Sequence, residues 1–277
     1  MKKKLIILLT AVMCVGLLSA GCSSNNNSKN EEKKEEIQYA DDQFIKDMSK
    51  GLQARWTLNE QDENKEGYDQ IDVQSSEYKD MMLSYVQAEL DCIEKYKDEK
   101  FKDSQLQEKA ISYINLLTKH KEVCDYIPVD YYGKYLDEFQ SIYNERSKII
   151  EDMANNYGLT VEEKYQSNLD EFKTNSQLVQ EQDALQNSIT NMLNNIQFQE
   201  VNDDGYGWKT YQAVVENTSG KDFSEFSVNI NLLNADGVIV ETQYDQVSNF
   251  ANGAKAQFEF MTDKDFTSTQ VTANWYE

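Results

Sequence analysis

The chain has 277 residues, of which 27 are basic and 49 acidic, for a net charge of −22. A field of that sign works against phosphate contacts, so nucleic acid is not expected as a partner, nor is a basic grip on anionic lipid. Four cysteines and one histidine form no cluster with metal-ligand spacing, and no cofactor is expected.

Residues 1–21 read as a targeting segment. Lys2, Lys3 and Lys4 give a positive start, and Leu5 to Leu18 follows without a charge. That is the length of a signal-peptide apolar region and short for a membrane-spanning helix. The segment closes on Leu18-Ser19-Ala20-Gly21-Cys22, which resembles the lipobox of bacterial lipoproteins. The resemblance implies cleavage before Cys22 and a diacylglycerol, with palmitate-type chains, on its sulfur. Two acyl chains make a stable anchor where one is marginal. Cys22 is therefore expected to tether the protein to the outer face of the cell membrane. Losing three lysines would take the net charge from −22 to −25. Residues 22–39 are polar and small or charged until Ile37, which predicts a flexible linker. The Lys-, Asn- and Glu-rich composition suggests a Gram-positive source.

Residues 40–196 predict a domain of five antiparallel helices. Phe44, Ile45, Met48, Leu52 and Trp56 share one helix face. Residues 57–75 lose that stripe and read as a long polar connection with room for some helix. Tyr78, Met82, Tyr85, Val86, Leu90 and Ile93 mark the second helix, and Leu106, Ala110, Tyr113, Ile114, Leu117 and Cys124 the third. Pro128, the single proline, ends the third, because a residue before proline is pushed out of the helical region. Tyr132 to Met153 carries the fourth stripe, and Gly158 suits a left-handed stop. Thr160 with Glu163 matches a capping box, which would start a fifth helix reaching Asn194. In a hairpin of helices two and three, Cys92 and Cys124 would sit about 20 Å apart along the axis. A disulfide needs Cα atoms within roughly 7 Å, so two buried reduced thiols are expected.

Residues 197–277 change period. Tyr211, Ala213 and Val215 alternate, as do Phe226, Val228, Ile230 and Leu232. Asn234-Ala235-Asp236-Gly237 is a hairpin turn, after which Val238, Val240, Thr242 and Tyr244 form the next inward row. Ala256, Phe258 and Phe260, then Val271, Ala273 and Trp275, complete an antiparallel β-sandwich. The fold class is thus α + β in two domains. Val215-Glu216-Asn217-Thr218, the strand into Asn234-Ala235-Asp236-Gly237, and Asn252-Gly253 before Phe258-Glu259-Phe260 resemble the FxLYD-type domain. The signature itself reads Ile230-Asn231-Leu232-Leu233-Asn234 and keeps only its leucine. That resemblance implies an immunoglobulin-like sandwich, frequent on bacterial surface lipoproteins, with no shared catalytic site.

Few residues point to chemistry. His120 precedes Cys124 by one turn, but a pair on one continuous helix lacks separate oxyanion donors. His120 is expected to be solvated or partly buried near a helix C-terminus, where the dipole favours a cation. With 49 acidic residues, carboxylate pairs arise by chance at any spacing. Thirteen of the seventeen tyrosines lie between Tyr39 and Tyr165, and most follow the stripes. Tyr131 and Tyr132, at the corner before the fourth helix, are candidates for a binding surface, with Arg55 and Trp56 as a second pair. The reading is a lipid-anchored surface module, without catalytic activity, that binds an envelope protein or wall polymer. The alternative is a cell-wall-modifying enzyme using acidic residues.

Overall fold

The computed structural model describes residues 38–277, so the lipobox, Cys22 and most of the linker lie outside the described residues. Tyr39–Glu277 forms one compact unit with a helical domain followed by a β-domain.

The helices are α1 (Asp41–Glu63), α2 (Ser76–Ile93), α3 (Ser104–Val123), α4 (Leu136–Asn156) and α5 (Gln166–Asn194). Their starts follow local capping chemistry. Ser75 Oγ accepts from Tyr78 N ahead of α2, and Asp103 Oδ1 accepts from Gln105 N and Leu106 N ahead of α3. α4 ends as its sequence predicts, with Gly158 at φ 73° and Leu159 N donating to Met153 O at 3.0 Å.

The polar connection is partly helical: α1 runs on to Glu63, through seven of its nineteen residues, and Asp62 there receives a 2.7 Å hydrogen bond from Tyr85 of α2. Two local expectations need correcting. The capping box at Thr160 does not form. Thr160 O instead accepts from Ser49 Oγ and Glu162 N donates to Gln53 Oε1, which lays 157–165 along α1 and delays α5 to Gln166. The returning segment also makes α4 and α5 run in the same direction. Tyr143 meets Glu171, Ser147 meets Asn175, and Glu151 meets Gln180, whereas α1 with α2 and α3 with α4 are antiparallel pairs.

Strands β1 (Gln199–Asp203), β2 (Lys209–Glu216) and β5 (Lys255–Thr262) form one antiparallel sheet in the order β1-β2-β5. The second, ordered β4-β3-β6, holds β3 (Phe223–Leu233), β4 (Ile239–Phe250) and β6 (Ser268–Tyr276). Phe226, Val228, Ile230 and Leu232 face Val215, Phe258 and Phe260 in one core. Ile189, Met192 and Leu193, from the last turns of α5, join it. The Asn234 turn forms as expected, with Asn234 Oδ1 accepting from Asp236 N and Val238 N.

The face of β4 is the reverse of the expected one. Val240, Thr242 and Tyr244 point to solvent, and Glu241, Gln243 and Asp245 point in. The reason lies across the gap between the sheets. Asp245 Oδ2 accepts from Glu259 N at 2.8 Å, Gln243 Nε2 donates to Met261 O at 3.0 Å, and Glu241 accepts from Thr262 Oγ1. β4 thus satisfies with side chains the backbone edge that β5 leaves unpaired. β1, all of whose residues are exposed, has no alternation for the sequence to reveal.

Candidate functional site

Helices α1 to α4 each bring a polar residue to one place in the interior of the helical domain. Glu89 stands one turn from both Tyr85 and Ile93, and Arg146 stands one turn from both Ile142 and Ile150. Tyr113 comes from α3 and Arg55 from α1. The four meet inside the helical domain. Arg146 Nη2 donates to Glu89 Oε1 at 2.8 Å, to Oε2 at 2.7 Å and to Tyr113 Oη at 3.0 Å. Tyr113 donates its hydroxyl proton to Glu89, and Arg55 Nη1 reaches Glu89 Oε2 at 3.3 Å. Glu89 is 0% and Arg146 1% exposed. Gly51 makes this approach possible: a Cβ there would lie 2.9 Å from Glu89 O, so only glycine lets α1 sit so close to α2.

Charge in this cluster does not cancel. Two guanidinium groups share one carboxylate, in a setting where unscreened charge is costly. Burial pulls the Arg55 pKa down and repulsion from Arg146 adds to it, with Glu89 opposing. Burial also lowers Arg146, but Glu89 and Tyr113 overcome that and raise it. Burial pushes Tyr113 upward. All hydrogen bonds of the Arg146 guanidinium come from Nη2, and its buried Nε has no partner among the described residues.

A cleft of about 160 Å³ opens on this cluster. α1 supplies Arg55 and Trp56, α4 supplies Phe139, Tyr143 and Arg146, and α5 supplies Asn168, Glu171 and Phe172. Arg146 Cζ lies 5.5 Å from the Phe172 ring centroid, and Trp56 stands 6.3 Å from the same ring. At the rim, Tyr143 Oη donates to Glu171 Oε1 at 3.2 Å, and burial pushes the tyrosine pKa up to about 12.

Spacing by four along one helix face joins the two sequence candidates. Tyr131, Tyr135, Phe139 and Tyr143 stack in succession with centroids 5.2, 5.7 and 6.1 Å apart. A single π-helical turn, Tyr131–Tyr135, begins the row, and Asp130 caps it by accepting from Gly133 N. Arg55 and Trp56 therefore line the cleft, while Tyr131 and Tyr132 stand at the far end of the aromatic row. Tyr132 is 70% exposed and packs edge-on against Tyr131.

His120 departs from expectation. It is fully buried, 5.1 Å from the Phe139 ring, and neither ring nitrogen has a hydrogen-bond partner among the described residues. Burial, then repulsion from Arg55 and Arg146, holds its pKa well below the usual histidine value, so it is neutral rather than a solvated cation. The helix dipole loses because the Leu117–His120–Cys124 stripe faces inward. Cys124 is buried, with its thiol pushed up to about 11 by that burial. Cys92 is half-buried rather than buried, and both thiols are free.

Glu89, Tyr113 and Arg146 were missed as a site. The available signal was a charge standing where the apolar stripe calls for a hydrophobic residue. Among the carboxyls, Asp47 shows the prevailing direction: burial raises it, but hydrogen bonds from Lys50, Tyr96, Lys95 and Gln43 bring it well below the ordinary value. Asp41, Asp62, Glu138 and Asp263 also move down.

No family model matches this chain, and no curated protein matches it. One solved structure does, the Pseudomonas fluorescens alkylpurine DNA glycosylase AlkC bound to DNA containing an abasic site analogue. It is 9% identical, with 72% of this chain and 69% of that one covered, at a TM-score of 0.19. The expectation that nucleic acid has no part here is corrected to that extent, since the protein matched is a DNA complex. The net charge could not support the exclusion, because it is a property of the whole chain and says nothing of a local patch. A likeness at that TM-score carries no argument for what this chain binds.

Proposed function

We propose that this chain is a lipid-anchored protein on the outer face of a bacterial membrane, that it binds a ligand, and that it does not transform it. The observation that carries the binding half is the cleft of Arg55, Trp56, Arg146 and Phe172. It joins preorganised donors to aromatic walls, the composition of a recognition pocket.

The anchor half rests on Lys2-Lys3-Lys4, the apolar run and Leu18-Ser19-Ala20-Gly21-Cys22. No described helix is long and apolar enough to cross a membrane. In this reading the FxLYD-like sandwich, which follows the helical domain in the chain, is a partner domain or spacer. Feeding cells an alkyne-tagged palmitate tests the anchor: label on the wild type and none on Cys22→Ala is expected, and equal label on both would sink it. Photo-crosslinking from Tyr143 in living cells tests the binding half. A defined adduct lost in Cys22→Ala is expected. Turnover of wall fragments by the purified chain would replace the binding reading with the enzymatic one.

A further inference from the structure

The cleft holds a specific charge deficit. Arg55 and Arg146 face one carboxylate, Glu89, which lies beneath them, so the pocket floor keeps about one positive charge that no described residue neutralises. Arg146 is 1% exposed and has a buried Nε without an acceptor. A planar guanidinium with unused donors fits a carboxylate, which can accept two parallel hydrogen bonds. At the rim, Glu171 would repel a second negative charge. Trp56, Phe139, Tyr143 and Phe172 make the rest of the lining aromatic, with Asn168 beside them. At about 160 Å³ the cleft is smaller than the roughly 300–1,000 Å³ of pockets for drug-sized ligands.

We infer that the cleft between α1, α4 and α5 binds a small aromatic monocarboxylate, its carboxylate on Arg55 and Arg146 and its ring against the aromatic wall that Trp56, Tyr143 and Phe172 form together. This names the ligand class for the binding reading above and rests on it. One negative charge completes the buried cluster. An inorganic phosphate dianion would overshoot the deficit and meet Glu171, and an uncharged analogue would leave the arginines as they are.

Calorimetric titration of the full-length protein in detergent tests this with phenylacetate, phenylacetamide and inorganic phosphate as probes. Saturable binding of phenylacetate, one per chain, is expected, with neither of the other two competing. Arg55→Gln should weaken it at least about tenfold, the scale of one charge-assisted hydrogen bond. Arg55 is the safer variant because its bond to Glu89 is the longest in the cluster. If that variant melts early, Asn168→Leu, which fills the cleft from α5 without touching the ion pair, should weaken binding in a folded chain. Absence of heat at millimolar phenylacetate, equal binding of the amide or of phosphate, or affinity unchanged in a folded variant would each overturn the assignment. A chain that forms a crosslinked adduct in cells yet ignores phenylacetate keeps the binding reading and loses only the ligand class.

Discussion

The helical domain closes around Glu89, Arg146, Tyr113 and His120, while the sandwich closes around Phe223, Phe226, Phe250 and Phe258. The most deeply buried polar side chain in the sandwich is Asn217, which is fully used: its amide donates to Lys221 O and Phe250 O, and its oxygen accepts from Ser219. In the helical domain the polar atoms are only partly satisfied. Apolar packing is short-ranged and tolerates small changes, whereas a buried charge depends on each partner being present. The contrast marks the helical domain as the one whose stability depends on charge.

The hardest blow to that contrast is Glu89→Gln. It keeps the side-chain volume but leaves two arginines buried without a counter-charge, and should cost about 3–5 kcal/mol in urea unfolding followed by circular dichroism. Ile230→Val in the sandwich should cost only about 0.5–1.5 kcal/mol. Replacing Glu89, Arg55 and Arg146 together by leucine and methionine should recover much of the loss, because the desolvation cost vanishes with the charges. A triple variant as unstable as Glu89→Gln would show that the cluster is needed for folding.

Acid should separate the domains next. The unfolded chain binds a proton at His120 near pH 6.5, and the folded chain refuses it until well below that. Stability is therefore complete above pH 6.5 and falls as pH drops below it, by about 1.4 kcal/mol per unit until the folded pKa is reached. The helical domain should therefore lose stability as pH falls below 6.5, ahead of the β-domain. Asp41, Asp47 and Asp62 add nothing in this window, since their contribution is lost only below their unfolded value of 3.8. His120→Leu should flatten the profile, and an unchanged profile would assign the acid sensitivity elsewhere.

Gly51→Ala is a smaller test. Helix propensity alone would make it favourable by about 1 kcal/mol. The new Cβ, 2.9 Å from Glu89 O, forces α1 and α2 apart at a strain of about 1–3 kcal/mol, so a net loss near 1 kcal/mol is expected. Smallest of all is Lys209→Ala, which removes an exposed ion pair with Glu200 in the β-domain. It should leave the urea midpoint almost unmoved, and in high salt not move it at all.

How much was legible differs by element for physical reasons. The stripe of Phe44, Met48 and Leu52 and the alternation of Phe226, Val228 and Ile230 are local periods, and both elements form where those periods run. Arg55 and Trp56 could be singled out because they are conspicuous types at a stripe's edge. Arg146 could not, since a lone arginine on a helix ordinarily faces water; only its spacing from Ile142 and Ile150 hinted otherwise. The Val240–Tyr244 row misled because the inward face of β4 is chosen by the open edge of β5, a neighbour fifteen residues or so away in sequence and on the other sheet.

By itself the sequence determined the order of helical and β domains, the stop at Gly158 and the turn at Asn234. Each is decided within a few residues by steric and hydrogen-bonding rules. Only tertiary structure decided that Glu89, Arg146, Tyr113, Arg55 and His120 share one interior, that α4 and α5 run side by side in one direction, and that a cleft opens on the unbalanced charge. Those features depend on which stripe meets which. That choice is set by close approaches such as Gly51 against Glu89 O, between residues that local period cannot relate.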